Sequence, residues 1–210
     1  MRKPVTSTPT RILTAVACAL LFAGCASQKG QPTTQFDFGP ALPAAQGAPA
    51  PAAALGAVVV TDVTGSSALD SERMVYRLSY ADAMQARTYA NSRWTASPLQ
   101  MMTQRIKTRI GQAGAKVLSE TDASLGIPLL RIDVDEFVHD FSSVSQSSGQ
   151  VAVRASVFRG HTLIDQKTFV HATPASSADA GGGARALAAS TDAVAADVVT
   201  WLGTLDLNRR

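Results

Sequence analysis

The sequence has very little cysteine, and none of it lies beyond residue 25. Its 210 residues include two cysteines, Cys18 and Cys25. The chain after Cys25 therefore has no thiol for a disulfide bond, a thiolate–zinc site or a cysteine nucleophile. These three kinds of chemistry are excluded together for that part of the protein.

An excess of charge of one sign is also missing once the N-terminus is set aside. Charged residues make up 17% of the chain, and the formal net charge is +3. Three of the 19 cationic residues (Arg2, Lys3 and Arg11) and none of the 16 acidic residues precede Cys25. The chain from Cys25 onward therefore has 16 of each and is formally neutral. Nucleic-acid binding requires clustered excess cations, so we expect no nucleic-acid partner.

Motifs for catalysis and for nucleotide binding are missing as well. The sequence has no Gly-x-Ser-x-Gly, Walker, Rossmann or His-Glu-x-x-His pattern. A glycine run at residues 181–183 lacks the Lys-Ser/Thr of a phosphate loop, and we interpret it as a flexible loop. The histidines His139, His161 and His171 lie far apart and are interpreted as surface residues. We therefore expect no enzymatic activity, no cofactor and no metal.

Acidic residues cluster in one predicted strand. They are Asp133, Asp135, Glu136 and Asp140. Calcium requires six or more oxygen ligands from a folded loop, so a solvated sheet face is the better interpretation. Glu136 interrupts the apolar alternation, which indicates a β-bulge or the exit of the strand from the core.

The N-terminus has the features of an export signal. Residues 12–22 form an apolar run of 11 residues that follows Arg2, Lys3 and Arg11. This run is too short to span a bilayer core of about 30 Å. The Ala-Gly-Cys that follows resembles the bacterial lipobox, although Phe22 occupies the position where Leu is usual. Residues 1–24 are thus predicted to be a lipoprotein signal peptide, and Cys25 is predicted to be acylated; the alternative is an ordinary secretory signal with an incidental cysteine.

The residue after Cys25 indicates the membrane to which a bacterial lipoprotein is sorted. It is Ala26, not the Asp that commonly retains lipoproteins at the inner membrane. This resembles an outer-membrane lipoprotein whose domain faces the periplasm. The segment 25–55 is rich in Ala and Pro and is predicted to be a tether. Within it, Phe36 and Phe38 are expected to dock on the domain, as an edge strand.

The remainder, residues 56–210, is predicted to form one periplasmic domain. Ser97 and Pro98 begin an amphipathic helix with apolar residues at 99, 102, 106 and 110, and residues 184–205 form a second helix. In the strand 129–141, Phe137, His139 and Phe141 are expected on the face opposite Leu130 and Ile132. The predicted strands are 57–63, 74–80, 86–91, 116–118, 129–141, 151–158 and 163–172. This order predicts an α+β fold with a mostly antiparallel sheet and two amphipathic helices packed on one face.

Three short segments are similar to those of a known family. They are the stretch 69–77 (LDSERMVYR), Arg93-Trp94, and the helix start Ser97-Pro98-Leu99. Together with Arg105-Ile106 on the same helix, the early Phe-Asp-Phe-Gly-Pro at 36–40 and the lipobox, they resemble the ABC-type transport auxiliary lipoproteins, the outer-membrane partners of MCE (mammalian cell entry) lipid-transport systems. The likeness covers most of residues 36–205. It implies a non-enzymatic auxiliary component that binds a periplasm-spanning MCE-domain protein and its ABC transporter.

Five residues in these segments are candidates for a partner interface: Arg73, Tyr76, Arg77, Arg93 and Trp94. Planar guanidinium groups bind carboxylates well, and large amphipathic rings are common at interfaces. The alternative is that Trp94 lies in the core and that the arginines pair with nearby acids.

Two other functions and two further partners stay open at this stage. One function is a lipid-binding module with an apolar pocket between the sheet and the helices. The other is an envelope-assembly lipoprotein that activates a cell-wall enzyme. Phospholipid binding and a homo-oligomer are open alternatives as well.

Overall fold

The computed structural model describes residues 32–41, 55–122 and 125–207, and from Thr33 onward they belong to one compact unit. The predicted signal peptide and Cys25 lie outside these residues. The helices are α1 (Pro98–Gln112) and α2 (Ala180–Thr204), and a short 3₁₀ helix covers Ser67–Asp70. The strands are β1 (Thr34–Phe36), β2 (Ala57–Val60), β3 (Thr64–Gly65), β4 (Arg73–Arg77), β5 (Ala86–Trp94), β6 (Lys116–Leu118), β7 (Leu129–Phe141), β8 (Ser147–Arg159) and β9 (Thr162–Pro174).

Strand β7 is the centre of the sheet. One of its edges pairs along its whole length with β8, which in turn pairs with β9. The other edge is shared in succession by β2, β3 and β4, all parallel to β7. Strand β6 extends the sheet from β2, while β5 and then β1 extend it from β4. The sheet thus ends at β9 on one side and at two short branches on the other.

The predicted α+β class is confirmed, but the sheet is mixed and not mostly antiparallel. Five of its eight strand pairings are parallel. Alternating apolar residues identify a strand without specifying the direction of its neighbour. β7 follows β2, β3 and β4 in the chain only after β5, α1 and β6, and this long crossover connection allows β7 to run parallel to them.

A β-bulge divides β7 into two halves. Val134 pairs with Val153, but the next pairs are Glu136 with Ala152 and Phe137 with Val151, so one residue is extra. Residues opposite each other in register share a face of the sheet. Phe137, and with it His139 and Phe141, therefore lies on the same face as Val134, and the expectation that these three lie opposite is wrong. The bulge itself, indicated by Glu136, is confirmed.

Capping residues set where the two helices begin, and apolar residues set which face of each helix is buried. In α1 the Ser97 Oγ accepts from the Gln100 N–H at 3.3 Å, and Met102, Ile106 and Ile110 are fully buried, as predicted. Helix α2 begins at Ala180, four residues earlier than predicted, because Asp179 caps it and accepts from the Gly182 N–H at 2.7 Å. The glycine run 181–183 is therefore the first turn of a helix and not a flexible loop.

Helix α2 packs on the face of the sheet that carries Val134. Ser190 Oγ donates to the Gly149 carbonyl at 2.7 Å, and Trp201 Nε1 donates to Asp165 Oδ2 at 2.9 Å. Helix α1 lies beside α2, and its buried residues share one core with the sheet. The opposite face, which we name the helix-free face, carries Arg73 and Arg77 of β4, Arg93 of β5, Arg131, Asp133 and Glu136 of β7, Arg154 of β8, and Thr168 and Val170 of β9.

Candidate partner-binding site

Three of the five predicted interface residues come together on the helix-free face. Arg73 lies directly opposite Arg93 in the pairing of β4 with β5. Arg77, four residues further along β4, forms an ion pair from Nη1 to Glu136 Oε1 at 2.6 Å. The structure therefore places two of the three arginines opposite each other in the sheet and pairs the third with an acid.

Arg73 and Arg93 are both exposed, and neither pairs with an acid within the described ranges. The Arg73 Nε donates to Ser71 Oγ at 3.3 Å, so the alternative of pairing with a nearby acid does not apply to it. Like charges directly opposite each other in a sheet are unfavourable. This arrangement favours an acidic partner that inserts a carboxylate between the two planar cations.

Trp94 lies in the core, so that alternative is confirmed for this residue. Its side chain is 1% exposed and meets the rings of Phe38 and Phe137 at centroid distances of 5.7 and 5.8 Å. Tyr76 is half-buried, with its ring 4.6 Å from that of Tyr89. A partner role for Arg73 and Arg93 stays a prediction, whereas Trp94 offers no surface to a partner.

Trp94 also explains why the early Phe-Asp-Phe segment docks. Strand β1 pairs in parallel with the end of β5, and Phe38 inserts beside Trp94. The predicted edge strand is thereby confirmed.

Arg105 is a charged residue of α1 that is nevertheless buried. Its Nη2 donates to the carbonyl oxygens of Phe38 and Gly39 at 2.6 and 2.7 Å, and its Nη1 pairs with Asp192 at 3.1 Å. Arg109, one turn later, also pairs with Asp192, at 2.8 Å. The i, i+4 spacing of two arginines beside an apolar stripe is the signal that points to an acid on a facing element.

His139 is fully buried, so the interpretation of it as a surface residue is wrong. Its Nδ1 lies 2.8 Å from the Tyr89 hydroxyl, its Nε2 has no hydrogen-bond partner among the described residues, and Gly183 packs against the ring. Because burial penalises the charged imidazolium, the pKa of His139 is lowered, although the carboxylates of Asp179 and Asp140 oppose this. The bulge in β7 is the signal that this residue faces the core.

The pKa values of the ionisable groups around His139 shift in the directions expected from burial and hydrogen bonding. Burial raises the pKa of Tyr89, with a smaller contribution from Tyr76. The Gly182 N–H and the Ser177 hydroxyl stabilise the Asp179 carboxylate and lower its pKa. Tyr89 and His139 are therefore both neutral near pH 7, and they form a buried polar pair rather than an acid–base couple with access to solvent.

A shallow groove of about 310 Å³ separates the β1 segment from the first turn of α2. Its two charged residues are engaged locally: Asp37 accepts from the Gly39 N–H at 2.7 Å, and Arg185 donates to Ser176 at 3.1 Å. The interior between the sheet and the helices is filled by side chains with 0% exposure, among them Met102, Leu130 and Val151. This solid core disfavours the alternative of a lipid pocket between the sheet and the helices.

The acidic residues of β7 take part in separate contacts. Arg154 lies 4.0 Å from both Asp133 and Asp135, and Asp140 accepts from the Ser79 hydroxyl. Among the residues that the structure describes, no group of three or more His, Cys, Asp and Glu is placed to hold a metal ion. Likewise, neither α1 nor α2 combines the length and the apolar character that crossing a bilayer requires.

Comparison with known proteins gives one family and a shared fold. Residues 41–199 match the family described as "ABC-type transport auxiliary lipoprotein component". A Xanthomonas campestris protein of family DUF330 has a similar structure, with a TM-score of 0.63, 20% identity, and coverage of 81% of this chain and 91% of that one. The structure of an uncharacterised protein matches with a TM-score of 0.64, 12% identity, and coverage of 82% and 99%. No curated protein matches the chain.

Proposed function

We propose, from the premise that this chain belongs to the family of ABC-type transport auxiliary lipoprotein components, that it serves an MCE-type system as its outer-membrane lipoprotein. The match over residues 41–199 carries the proposal, because it spans most of the chain. Family membership makes the protein a lipoprotein that acts with an ABC-type transporter. The MCE system, the outer membrane and transport of lipid between the two membranes are the finer parts of the proposal.

Attachment to the membrane rests on Cys25. Each methylene of an acyl chain contributes about 0.8 kcal/mol on burial in a bilayer, so two or three chains hold a protein on the membrane for its lifetime. The residue after Cys25 is Ala26, which supports the outer membrane as the destination. Mass spectrometry of the mature N-terminus and separation of inner and outer membranes by density test this part. A non-acylated Cys25, or recovery with the inner membrane, would contradict it.

In this proposal the domain contributes binding and not catalysis. Lipids transfer slowly through water because their chains are costly to hydrate, and a bridge between bilayers removes that barrier. The sequence has no nucleotide-binding motif, so the energy comes from the ATPase of the transporter. The domain holds a periplasm-spanning MCE-domain protein at the outer membrane through the helix-free face.

The pair Arg73 and Arg93 gives the sharpest test of this docking. The double substitution Arg73→Glu and Arg93→Glu replaces two exposed, unpaired cations and leaves the core intact, so we expect the fold to persist. Charge reversal places like charges across the interface, and we expect co-purification with the MCE-domain protein to fall by about tenfold or more.

Lys116→Glu is the matched control. Lys116 is an exposed cation on β6, at the far edge of the sheet. This change alters the net charge in the same direction without touching β4 or β5, and we expect normal co-purification. Equal binding by the wild-type protein and the double variant would rule out Arg73 and Arg93 as the docking site.

A further inference from the structure

Three of the six large apolar side chains that are exposed among the described residues lie at one end of the sheet; Leu125 and Leu163 lie toward the opposite end, and Val170 lies on the helix-free face. Tyr80, Met84 and Val144 are 47%, 95% and 77% exposed. The first two lie in the loop 78–85, which joins β4 to β5, and Val144 lies in the turn 142–146, which joins β7 to β8. Because β4 runs parallel to β7, the loop and the turn lie at the same end of the sheet. We name these two segments the apolar end.

The two segments of the apolar end are held together. The Tyr80 N–H donates to the carbonyl of Phe141, the last residue of β7, at 3.3 Å. Tyr80 therefore lies next to the turn that carries Val144. The loop and the turn therefore present their exposed apolar side chains at the same end of the sheet.

The apolar end is also almost free of charge. The chain from Phe141 to Val153 has no ionisable side chain, and the turn consists of Ser, Val and Gln. The loop 78–85 has one charge, on Asp82, whose Oδ1 accepts from the Met84 N–H at 2.9 Å. The exposed Arg87 at the start of β5 donates from Nε to Gln85 Oε1 in this loop at 2.8 Å. Approach to a lipid surface therefore involves one carboxylate and one guanidinium, and the long Arg side chain can keep its charge in the hydrated headgroup region.

The N-terminal end of β1 is directed toward this end of the sheet. Strand β1 is parallel to β5, with Thr34 beside Ser92, and β5 starts from the apolar end at Ala86. The chain therefore enters β1 from that end. Because β1 is docked, eight residues, 26–33, separate Cys25 from the first strand, whereas the composition of residues 25–55 predicts a tether of about 30 residues.

The available length is sufficient for Cys25 to lie in the same plane as the apolar tips. Nine residues from Cys25 to Thr34 span at most about 30 Å. The part of β5 between Ala86 and Ser92 spans roughly 20 Å. The link is thus long enough for an acylated Cys25 to reach the apolar end and about 10 Å beyond it.

We infer that the apolar end is a membrane-contact surface, on which Tyr80, Met84 and Val144 enter the interfacial region of the lipid bilayer to which Cys25 is attached. The inference rests on the proposed acylation of Cys25. Tyrosine suits this region because its ring is apolar and its hydroxyl stays hydrated. The domain then stands on the bilayer with β7 directed toward it, and the helix-free face remains accessible from the side.

Site-specific labelling tests this orientation, because the chain after Cys25 has no other thiol. The full-length lipoprotein with Met84→Cys is labelled with an environment-sensitive fluorophore and reconstituted into phosphatidylethanolamine–phosphatidylglycerol vesicles that contain doxyl-labelled lipid. Leu125→Cys is the matched control, since Leu125 is a fully exposed apolar residue that precedes β7 at the opposite end. Val144→Cys provides a second reporter on the other segment of the apolar end.

We expect the doxyl lipid to quench the labels at positions 84 and 144 several-fold more than the label at position 125. Equal quenching at all three positions, or stronger quenching at position 125, would overturn the inference. A protein that does not float with the vesicles, and whose Cys25 reacts with the fluorophore, would instead contradict the proposed acylation. Flotation without quenching at positions 84 and 144 overturns the membrane contact alone.

Discussion

His139 is the residue through which we expect acid to destabilise the fold. Tyr89 faces it from β5, Asp140 lies next to it on β7, and Asp179 faces it from the cap of α2; the two carboxylates only partly offset the effect of burial. Its pKa in the folded protein is therefore below the value of about 6.5 that it has when unfolded. As the pH falls below that value, the unfolded state binds the proton first, and the free energy of unfolding falls by up to about 1.4 kcal/mol per pH unit.

Urea unfolding of the wild type and of His139→Gln, at about pH 7.5 and about pH 5.5, measures this contribution. We expect the substitution to remove part of the acid sensitivity. The control is His161→Gln, because His161 is exposed in the turn between β8 and β9. If His139→Gln lost as much stability on acidification as the wild type, burial of the imidazole would not be the cause.

Gly183 is a residue whose substitution is expected to lower the stability of the fold. A Cβ at this position would lie 2.6 Å from His139 Cγ and 2.8 Å from its Cε1, closer than carbon atoms approach. Helix propensity alone favours Ala over Gly in a helix by about 1 kcal/mol. Since the buried ring of His139 has no room to move, we expect Gly183→Ala to lower the free energy of unfolding by about 1–3 kcal/mol instead.

Gly111→Ala is the control for Gly183→Ala, because the two variants are expected to change the free energy of unfolding in opposite directions. Gly111 also lies in a helix, but a Cβ there would come no closer than 3.9 Å to Val117. We expect this variant to be neutral or more stable by up to about 1 kcal/mol. Thermal unfolding of both variants compares them directly, and a stabilised Gly183→Ala protein would contradict the close packing of α2 on β7.

At the scale of the element, β1 depends on Arg105. This buried guanidinium donates to two carbonyl oxygens of the β1 segment and pairs with Asp192. Asp192 keeps its pair with Arg109 when Arg105 is removed, so no carboxylate is left alone. We therefore expect Arg105→Ala to destabilise the protein by about 2–3 kcal/mol, and to increase the hydrogen exchange of residues 34–39 beyond the global effect.

Lys107→Ala is the comparison on the same helix. Lys107 forms an ion pair with Asp62 at 3.0 Å, and the Asp62 side chain is largely exposed. Exposed pairs of this kind contribute about 0–1 kcal/mol. Unchanged protection of residues 34–39 in Arg105→Ala would show that β1 is held by Phe38 and the strand pairing alone.

Local sequence patterns predict the bounds of some elements but not the register between strands. Local patterns were sufficient for α1 and for β7, whose bounds Leu129–Phe141 agree with the expectation. The bulge could be located from Glu136, but its consequence requires the register with β8. His139 was therefore assigned to the wrong face.

Parallel pairing was not predictable for a related reason. The short strands β2, β3 and β4 acquire their direction from the way the chain packs around β7, which no local alternation encodes. The candidate site shows the same division. Arg73 and Arg93 were found from their residue types and their place in a family-like segment, whereas only the fold shows that they are opposite each other.

On the scale of the whole molecule, docking of β1 shortens the link between Cys25 and the folded domain. A tether of about 30 residues would let the domain move freely above the bilayer, whereas a link of eight residues to the proposed acylated Cys25 would hold it near the surface. A weak contact of the apolar end with lipid is then strengthened by the high effective concentration that a short link imposes.

Insertion of a flexible Gly/Ser segment at two positions tests this coupling. An insertion of about 20 residues after Ser27 lengthens the link from eight residues to about 28, and the effective concentration of the domain at the bilayer falls by roughly sixfold. We expect quenching of the label at position 84 by doxyl lipid to fall accordingly. The same insertion between β1 and β2 does not lie between Cys25 and β1, so it should leave the quenching unchanged. An equal fall in quenching with the two insertions would mean that the link from Cys25 to β1 does not hold the apolar end at the bilayer.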